Sequence, residues 1–432
     1  MKYANQVSEI INAFSPEPLK GAQMEEFYCS DTMECRMGDP VDSPIRNIID
    51  EIYRKEESRR AFLLLGHRGC GKSTELNRLS AELSAKGYRV RTIFCNSDLD
   101  MVNIVYSDLF ILMGEALLGI AGDCGCAISK DILDNIMHFW DEGTETSVSM
   151  KEETMDTEVG MSAETPGLFN ALKIFAKIKA DLKVNQEVRK EYQRKISIRS
   201  SDWMELLRKV AKEIADKTEG KQPIIIFEDL DKLNPENAWN LFYSYAAVLS
   251  GMPFPVIYTF PIALSYDTRY AAMEGYFNTE TLPMIKIETI QGDPYNDGIN
   301  ILREIIKKRA DLNLFEDGVL DSLIKYSGGS LRDLFYTINS AAKRAKRRDS
   351  ESVSMEDAER ALQEVETALT RRIEKKDYEF LINIHTGNKQ IIEDKQMLLR
   401  MLQAMVVLEY NGKRWHNLHP LVTRFFTEQG LI

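Results

Sequence analysis

Gly66-His67-Arg68-Gly69-Cys70-Gly71-Lys72-Ser73 is the stretch whose reading decides the fold of this chain. It satisfies G-x-x-x-x-G-K-[ST] at every position, the pattern of a loop that cradles phosphate. Its flanks agree with that reading. Residues 61–65 (A-F-L-L-L) have the length and composition of a buried strand, and residues 74–86 place Leu76, Leu79 and Leu83 at helical spacing. A strand, a glycine-rich loop and a helix in that order aim backbone N–H groups and a helix N-terminus at an anion. Gly66, Gly69 and Gly71 permit the tight loop. His67, Arg68 and Cys70 fill its variable positions, and Thr74 follows at the helix start. Lys72 is expected to reach the β- and γ-phosphates of a nucleotide, and Ser73 to ligate Mg²⁺. A chance glycine-rich turn would not require a strand and a helix at these two places.

Hydrolysis needs acidic groups at the end of a neighbouring strand. The stretch Ile224-Ile225-Ile226-Phe227-Glu228-Asp229-Leu230-Asp231-Lys232 supplies them as four apolar residues followed by adjacent carboxylates. One carboxylate would hold the Mg²⁺ shell while its neighbour orients or deprotonates the attacking water. In the first register Glu228 is the metal-side acid and Asp229 the water-side one; a shift of one residue makes Asp229 the metal-side acid. Acids that merely cap the next helix are the bland alternative. The guanine-reading N-K-x-D motif does not occur, so ATP is preferred over GTP.

The bulk properties bound the rest. At 432 residues the chain is long enough for two or three domains. Apolar content of 44% and charged content of 28% are those of a globular protein. No apolar run is long enough to cross a bilayer, so no membrane association is expected. Met1–Gln6 lacks the apolar core of a signal peptide, and six scattered cysteines do not form a disulfide framework; both point to a reduced cytoplasm. Cys124-Gly125-Cys126 lacks the spacing and the second pair of a zinc site. A net charge of −12 argues against coating nucleic acid by charge alone.

Along the chain, residues 1–44 carry Pro16, Pro18, Pro40 and Pro44 with little periodicity and read as an irregular arm. A nucleotide-binding base is expected over 45–290, with strands at 89–96, 254–260 and 282–287. Residues 141–165 hold eight acids against one lysine and read as a mobile excursion within it. Residues 171–200 reverse the sign, with nine basic residues against three acids. Residues 291–373 read as helices, the first opening at Asp293-Pro294. Residues 374–432 combine a helix, two β-rich runs joined by Asn411-Gly412, and a further helix, a pattern that suggests a winged helix.

G-H-R-G-C-G-K-S-T (66–74) with I-I-I-F-E-D-L-D-K (224–232) resembles the AAA+ and STAND branches of the P-loop ATPases, and origin-recognition-type initiators in particular. The resemblance covers residues 45–345. It implies an α/β fold: a three-layer P-loop NTPase base with a parallel sheet, a helical lid and a C-terminal winged-helix domain. It implies an ATPase needing ATP and Mg²⁺. One departure matters: Glu228 stands where the family usually has Asp, so turnover is expected to be slow or partner-stimulated. The resemblance further implies that Thr259, at a strand end, senses the γ-phosphate. It implies that Arg332, in Ser327-Gly328-Gly329-Ser330-Leu331-Arg332, reaches it from the lid. An arginine finger from a neighbouring subunit would be Arg269, or Arg189 as a second candidate.

No effector motif accompanies these features. The expectation is an ATP-driven molecular switch acting through a homo-oligomer or a separate effector protein, and bacterial ATPases of this appearance suggest a defence or stress module. A DNA-engaged initiator or transposition-type ATPase is one alternative, and a nucleotide-binding scaffold with little hydrolysis is another. DNA binding is not favoured, because residues 375–432 hold eight basic against six acidic residues and Trp415, Phe425 and Phe426 look like a packing surface.

Overall fold

A computed structural model describes residues 2–39, 41–54, 60–141, 166–184, 186–410 and 414–432. At its centre are five parallel strands: β1 (Ala61–Gly66), β2 (Val90–Phe94), β3 (Ile224–Glu228), β4 (Val256–Pro261) and β5 (Asn278–Thr281). Their spatial order is β2-β3-β4-β1-β5. This is the α/β P-loop NTPase base that the sequence predicts. β4 separates the phosphate-loop strand from the acidic strand, with Leu64 opposite Thr259 and Phe227 opposite Tyr258.

Strands covered on both faces read as continuous apolar runs, and β1, β3 and β4 are buried throughout. Successive side chains alternate between the faces. Phe62, Leu64, Ile224 and Ile226 pack with Ile45, Ile48 and Leu79 from the helices Pro44–Tyr53 and Lys72–Ala85. Leu63, Leu65, Ile225 and Phe227 join the larger core with Leu109, Phe110 and Leu117 of the helix Tyr106–Asp123. Each such buried side chain stabilises the fold by about 1.5–3 kcal/mol, and the sheet is the stiff element that carries the site.

Between β2 and β3 the chain forms helices at Tyr106–Asp123, Lys130–Asp141, Pro166–Val184, Gln186–Ile198 and Ser200–Lys217. Trp203 and Trp140 meet at 5.3 Å within an aromatic cluster that includes Phe139 and Phe175, and Trp203 Nε1 donates to the Phe110 carbonyl. Of the acidic excursion, residues 142–165 lie outside the described residues, as does the Asn411-Gly412 turn.

Three expectations need correction. The last strand of the five-stranded sheet is Asn278–Thr281, not 282–287. Pro283 has no N–H to donate to a ladder, whereas β-prone Thr279 and Thr281 suit a polar edge strand; Leu282, Met284 and Ile285 are buried without forming one. Asp293-Pro294 does not open a helix: the helix is Asn296–Lys307, and Glu288 and Pro294 form a bridge in the turn before it. The N-terminal arm is not irregular. It forms short helices at Val7–Ala13, Ala22–Phe27 and Thr32–Met37, with Ala4, Ile10 and Phe14 fully buried. Ala4 exchanges backbone hydrogen bonds with Arg309 and Asp311, and Phe14 packs edge-on against Phe335 at 5.4 Å. These anchors are apolar residues spread over the arm, which is why no short window of sequence displays a period.

Helices Asn296–Lys307, Val319–Tyr326, Leu331–Arg347 and Met355–Thr370 follow the sheet. The C-terminal residues add helices Tyr378–Thr386 and Lys395–Gln403, an antiparallel pair β6 (Val407–Tyr410) and β7 (Trp415–Leu418), and the helix Pro420–Glu428. Arg424 fixes that last helix to Met355–Thr370 through Glu366 at 2.6 Å and Glu359 at 2.9 Å. Among the described residues no helix is long and apolar enough to cross a membrane.

Candidate functional site

The carboxyl ends of β1 and β3 open onto a cavity of about 280 Å³, roofed by the lid and the N-terminal arm. The loop between β1 and its helix is held from both sides. Leu331 N donates to Gly69 O at 3.1 Å, and Arg36 Nη2 donates to Cys70 O at 2.6 Å while Nη1 donates to Pro283 O. Gly69 must be glycine for two reasons. Its φ is +85°, and a Cβ would lie 2.7 Å from Ser330 Oγ and from Arg332 Cβ. Gly71, at φ +102°, lets the chain enter the helix Lys72–Ala85 with its free N–H groups turned to the cavity rim.

Lys72 is buried. Its Nζ donates to Gly66 O at 2.8 Å and His67 O at 2.9 Å, and pairs with Asp231 Oδ2 at 2.9 Å. Burial alone would lower its pKa; Asp231 outweighs burial and raises it. Asp231 is likewise pushed up by burial and pulled below the usual carboxylate range by Lys72. The pair is therefore ionised at neutral pH. Asp231 stands three residues beyond Glu228 in the same acidic stretch, and no local pattern marks it above the adjacent acids Glu228 and Asp229.

Ser73 Oγ donates to Glu228 Oε2, joining the two residues expected on the metal side. Glu228 Oε1 is enclosed without a hydrogen-bond partner. Burial, abetted by Asp229 and Asp231 and opposed by the Ser73 hydrogen bond, pushes the Glu228 pKa up to about 7. A hydroxyl beside a carboxylate with a spare oxygen is a hard-oxygen donor set, and it fits Mg²⁺. Asp229 sits at φ +73°, pairs with Lys232 at 2.5 Å and accepts from Asn96 N at 3.4 Å. It also lines the cavity, as do Arg68, Thr74 and Arg332. Arg68 donates to the Lys232 carbonyl, and Thr74 Oγ1 accepts from Leu19 N.

Thr259 is not brought to the cavity. Its hydroxyl accepts from Leu230 N at 3.0 Å and Asp231 N at 3.4 Å and donates to Phe227 O, so it shapes the turn that carries Asp231. Arg332 lines the same cavity as Lys72, from the start of a helix capped by Ser330. Arg269 lies away from the cavity, in a two-armed pair with Asp267 and over the Trp239 ring at 4.5 Å. Arg189 is buried against Asp108 at 2.7 Å, which removes it as a residue that could reach a neighbouring subunit. His67 is 1% exposed, and its Nε2 accepts from the backbone N–H of Glu409 in β6.

The family model described as the KAP family P-loop domain matches residues 41–261. No curated protein matches the sequence. Solved structures similar over nearly the whole chain include the Walker-type ATPase PABY2304 of Pyrococcus abyssi, at 13% identity, TM-score 0.49 and coverage of 96% of this chain and 99% of that one. Cdc6p of Pyrobaculum aerophilum follows at 13% identity and TM-score 0.37, with 97% and 98% covered. The RuvB Holliday junction branch migration motor of Thermotoga maritima is 11% identical at TM-score 0.35, with 93% and 99% covered.

Proposed function

The chain belongs to the KAP family of P-loop NTPases, and from that premise we propose that it is an ATP-binding, ATP-hydrolysing switch whose state is passed to its C-terminal residues. The observation that carries this reading is the convergence of Lys72, Ser73, Glu228, Asp229 and Arg332 on one cavity. Lys72 would exchange Asp231 for the β- and γ-phosphates. Ser73 and Glu228 would hold Mg²⁺, which when bound neutralises phosphate charge. Asp229 is the base at the cavity rim and orients water, and Arg332 brings a positive charge from the lid to the developing charge on the γ-phosphate.

The switch reading rests on the covering of the loop. The C-terminal helices and hairpin, which we read as a winged-helix-like module, bury Trp415, Leu421 and Phe426 rather than presenting them to a groove. That arrangement favours a packing element over a DNA reader. Output would then pass to a second copy of the chain or to a separate effector, with Arg269 as the residue offered in trans. Specific activity that rises with protein concentration, and ceases to rise in Arg269→Ala, supports assembly; activity per subunit that is flat across dilution counts against it.

The deciding experiment is calorimetry of Mg-ATP binding to the wild-type chain and to Lys72→Ala, with thermal melts in parallel because Asp231 loses its counter-charge. Removing a charge-assisted contact worth about 1.5–3 kcal/mol should weaken binding at least tenfold. Equal affinities in two folded proteins would end the phosphate-loop reading.

A further inference from the structure

The same cavity is lined by a buried cation that forms no ion pair among the described residues. Arg309 is 4% exposed, and no carboxylate pairs with it among the described residues. Its guanidinium lies 4.9 Å from the centre of the Phe335 ring and 5.7 Å from that of Phe27. Nη1 donates to Ile305 O at 3.0 Å and to Phe27 O at 3.4 Å. Nε is enclosed without a partner, and Nη2 has none among the described residues. Burial pushes the Arg309 pKa down to about 10, which leaves it charged at neutral pH.

A buried guanidinium with Nε idle and Nη2 without a protein partner among the described residues is costly unless something that enters the site accepts from it. The phosphate end already carries Lys72, Arg332 and the loop amides. Phe335 follows Arg332 by three residues on the same helix, a rise of about 4.5 Å, and Arg309 packs on that ring. Around it the cavity is lined by Phe27, Ile305, Leu331 and Phe335. An apolar slot one helical turn beyond the phosphates, with one unsatisfied donor group, suits the edge of a flat heteroaromatic ring.

We propose that Arg309 is a specificity-determining residue that donates to a ring-nitrogen acceptor of the purine base. This rests on the nucleotide reading of the same cavity and adds the chemistry at its far end. A hydrogen bond from a charged donor to a neutral acceptor should be worth about tenfold to a hundredfold in affinity.

Calorimetry with ATP, 1-deaza-ATP, 3-deaza-ATP and 7-deaza-ATP, each replacing one acceptor nitrogen by C–H, tests this without altering the protein. One of the three analogues should bind about tenfold or more weakly than ATP to the wild-type chain. That difference should vanish in Arg309→Met, whose melting temperature is measured alongside to establish that it folds. Inorganic triphosphate is the control for the phosphate end and should bind both proteins alike. Three analogues that all match ATP in the wild-type protein would overturn the proposal while leaving the nucleotide reading intact. So would a loss of triphosphate binding in Arg309→Met as large as the loss of ATP binding, since Arg309 would then serve the phosphates. Failure of every nucleotide to bind the wild-type chain would remove the site reading itself.

Discussion

The backbone N–H of Glu409 donates a 2.8 Å hydrogen bond to Nε2 of His67, so the C-terminal hairpin grips the phosphate loop five residues before Lys72. To accept there, His67 must be neutral, with its proton on Nδ1. The contact sits in a polar cluster. Tyr266 Oη donates to Glu409 Oε2 at 2.7 Å and lies 2.8 Å from His416 Nε2. The phosphate loop and the hairpin are therefore joined directly through this hydrogen bond.

The first prediction concerns acid. Burial pushes the His67 pKa down to about 3, with Lys72 and His416 adding to the effect, and burial pushes His416 down to about 4. Unfolded, both titrate near 6.5, so below that pH the unfolded chain binds the extra protons. Their stability contribution is present above pH 6.5 and declines as pH falls, by about 2 kcal/mol for each histidine at pH 5. Glu228, raised to about 7, runs the other way, so the comparison with His67→Gln isolates the histidine. Urea unfolding at pH 7.5, 6 and 5 should show a smaller acid loss in His67→Gln than in the wild-type chain. Parallel losses would mean that His67 is not held neutral.

Asp231 gives the second. It pairs with Lys72 Nζ at 2.9 Å and would repel an incoming triphosphate. Asp231→Asn should bind Mg-ATP more tightly than the wild-type chain. It should also melt at a lower temperature without nucleotide, because breaking a buried pair costs about 3–5 kcal/mol. Weaker nucleotide binding in a folded Asp231→Asn would show that Asp231 helps the nucleotide rather than competing with it.

The two acids give the third. Glu228 is bonded to Ser73 and Asp229 pairs with Lys232, and the proposed roles follow the first register. Asp229→Asn should keep Mg-ATP bound and stop turnover, while Glu228→Gln should blunt the Mg²⁺ dependence of binding. Exchanged phenotypes would place the register one residue off, and unchanged turnover in both would make the acids structural.

What the sequence disclosed and what it hid divide along physical lines. Gly66–Ser73 and Ile224–Glu228 are contiguous, and local geometry fixes what their side chains face. Ser330 caps its helix by accepting from Asp333 N, as a serine after two glycines foretells. The arm was opaque because Arg36 gains its meaning only where Cys70 O and Pro283 O converge on it. Arg309 likewise reads as a helix-end cation until Phe27 and Phe335 enclose it. Thr259 lies at the foreseen strand end, but its hydroxyl turns to backbone amides, which no strand pattern encodes.

The last prediction separates a packing module from a DNA reader. Leu408, Tyr410 and Trp415 belong to the same core cluster as Phe62, Leu76 and Ile226, and Tyr410 Oη donates to Gly328 O in the turn that opens the lid helix. A side chain at Gly328 would strike Leu408 at 2.6 Å, so hairpin and lid turn are in close register. Deleting residues 375–432 should therefore lower the melting temperature and change nucleotide turnover, because apolar surface on the base loses its cover. Phosphate contacts dominate DNA affinity and make it steeply dependent on salt. With eight basic residues against six acidic ones, residues 375–432 should bind duplex DNA weakly at physiological salt. Nanomolar, salt-sensitive duplex binding that disappears in Lys413→Ala with Arg414→Ala, together with unaltered turnover in the deletion, would reverse the assignment and make this module the DNA-engaging part of an initiator-type ATPase.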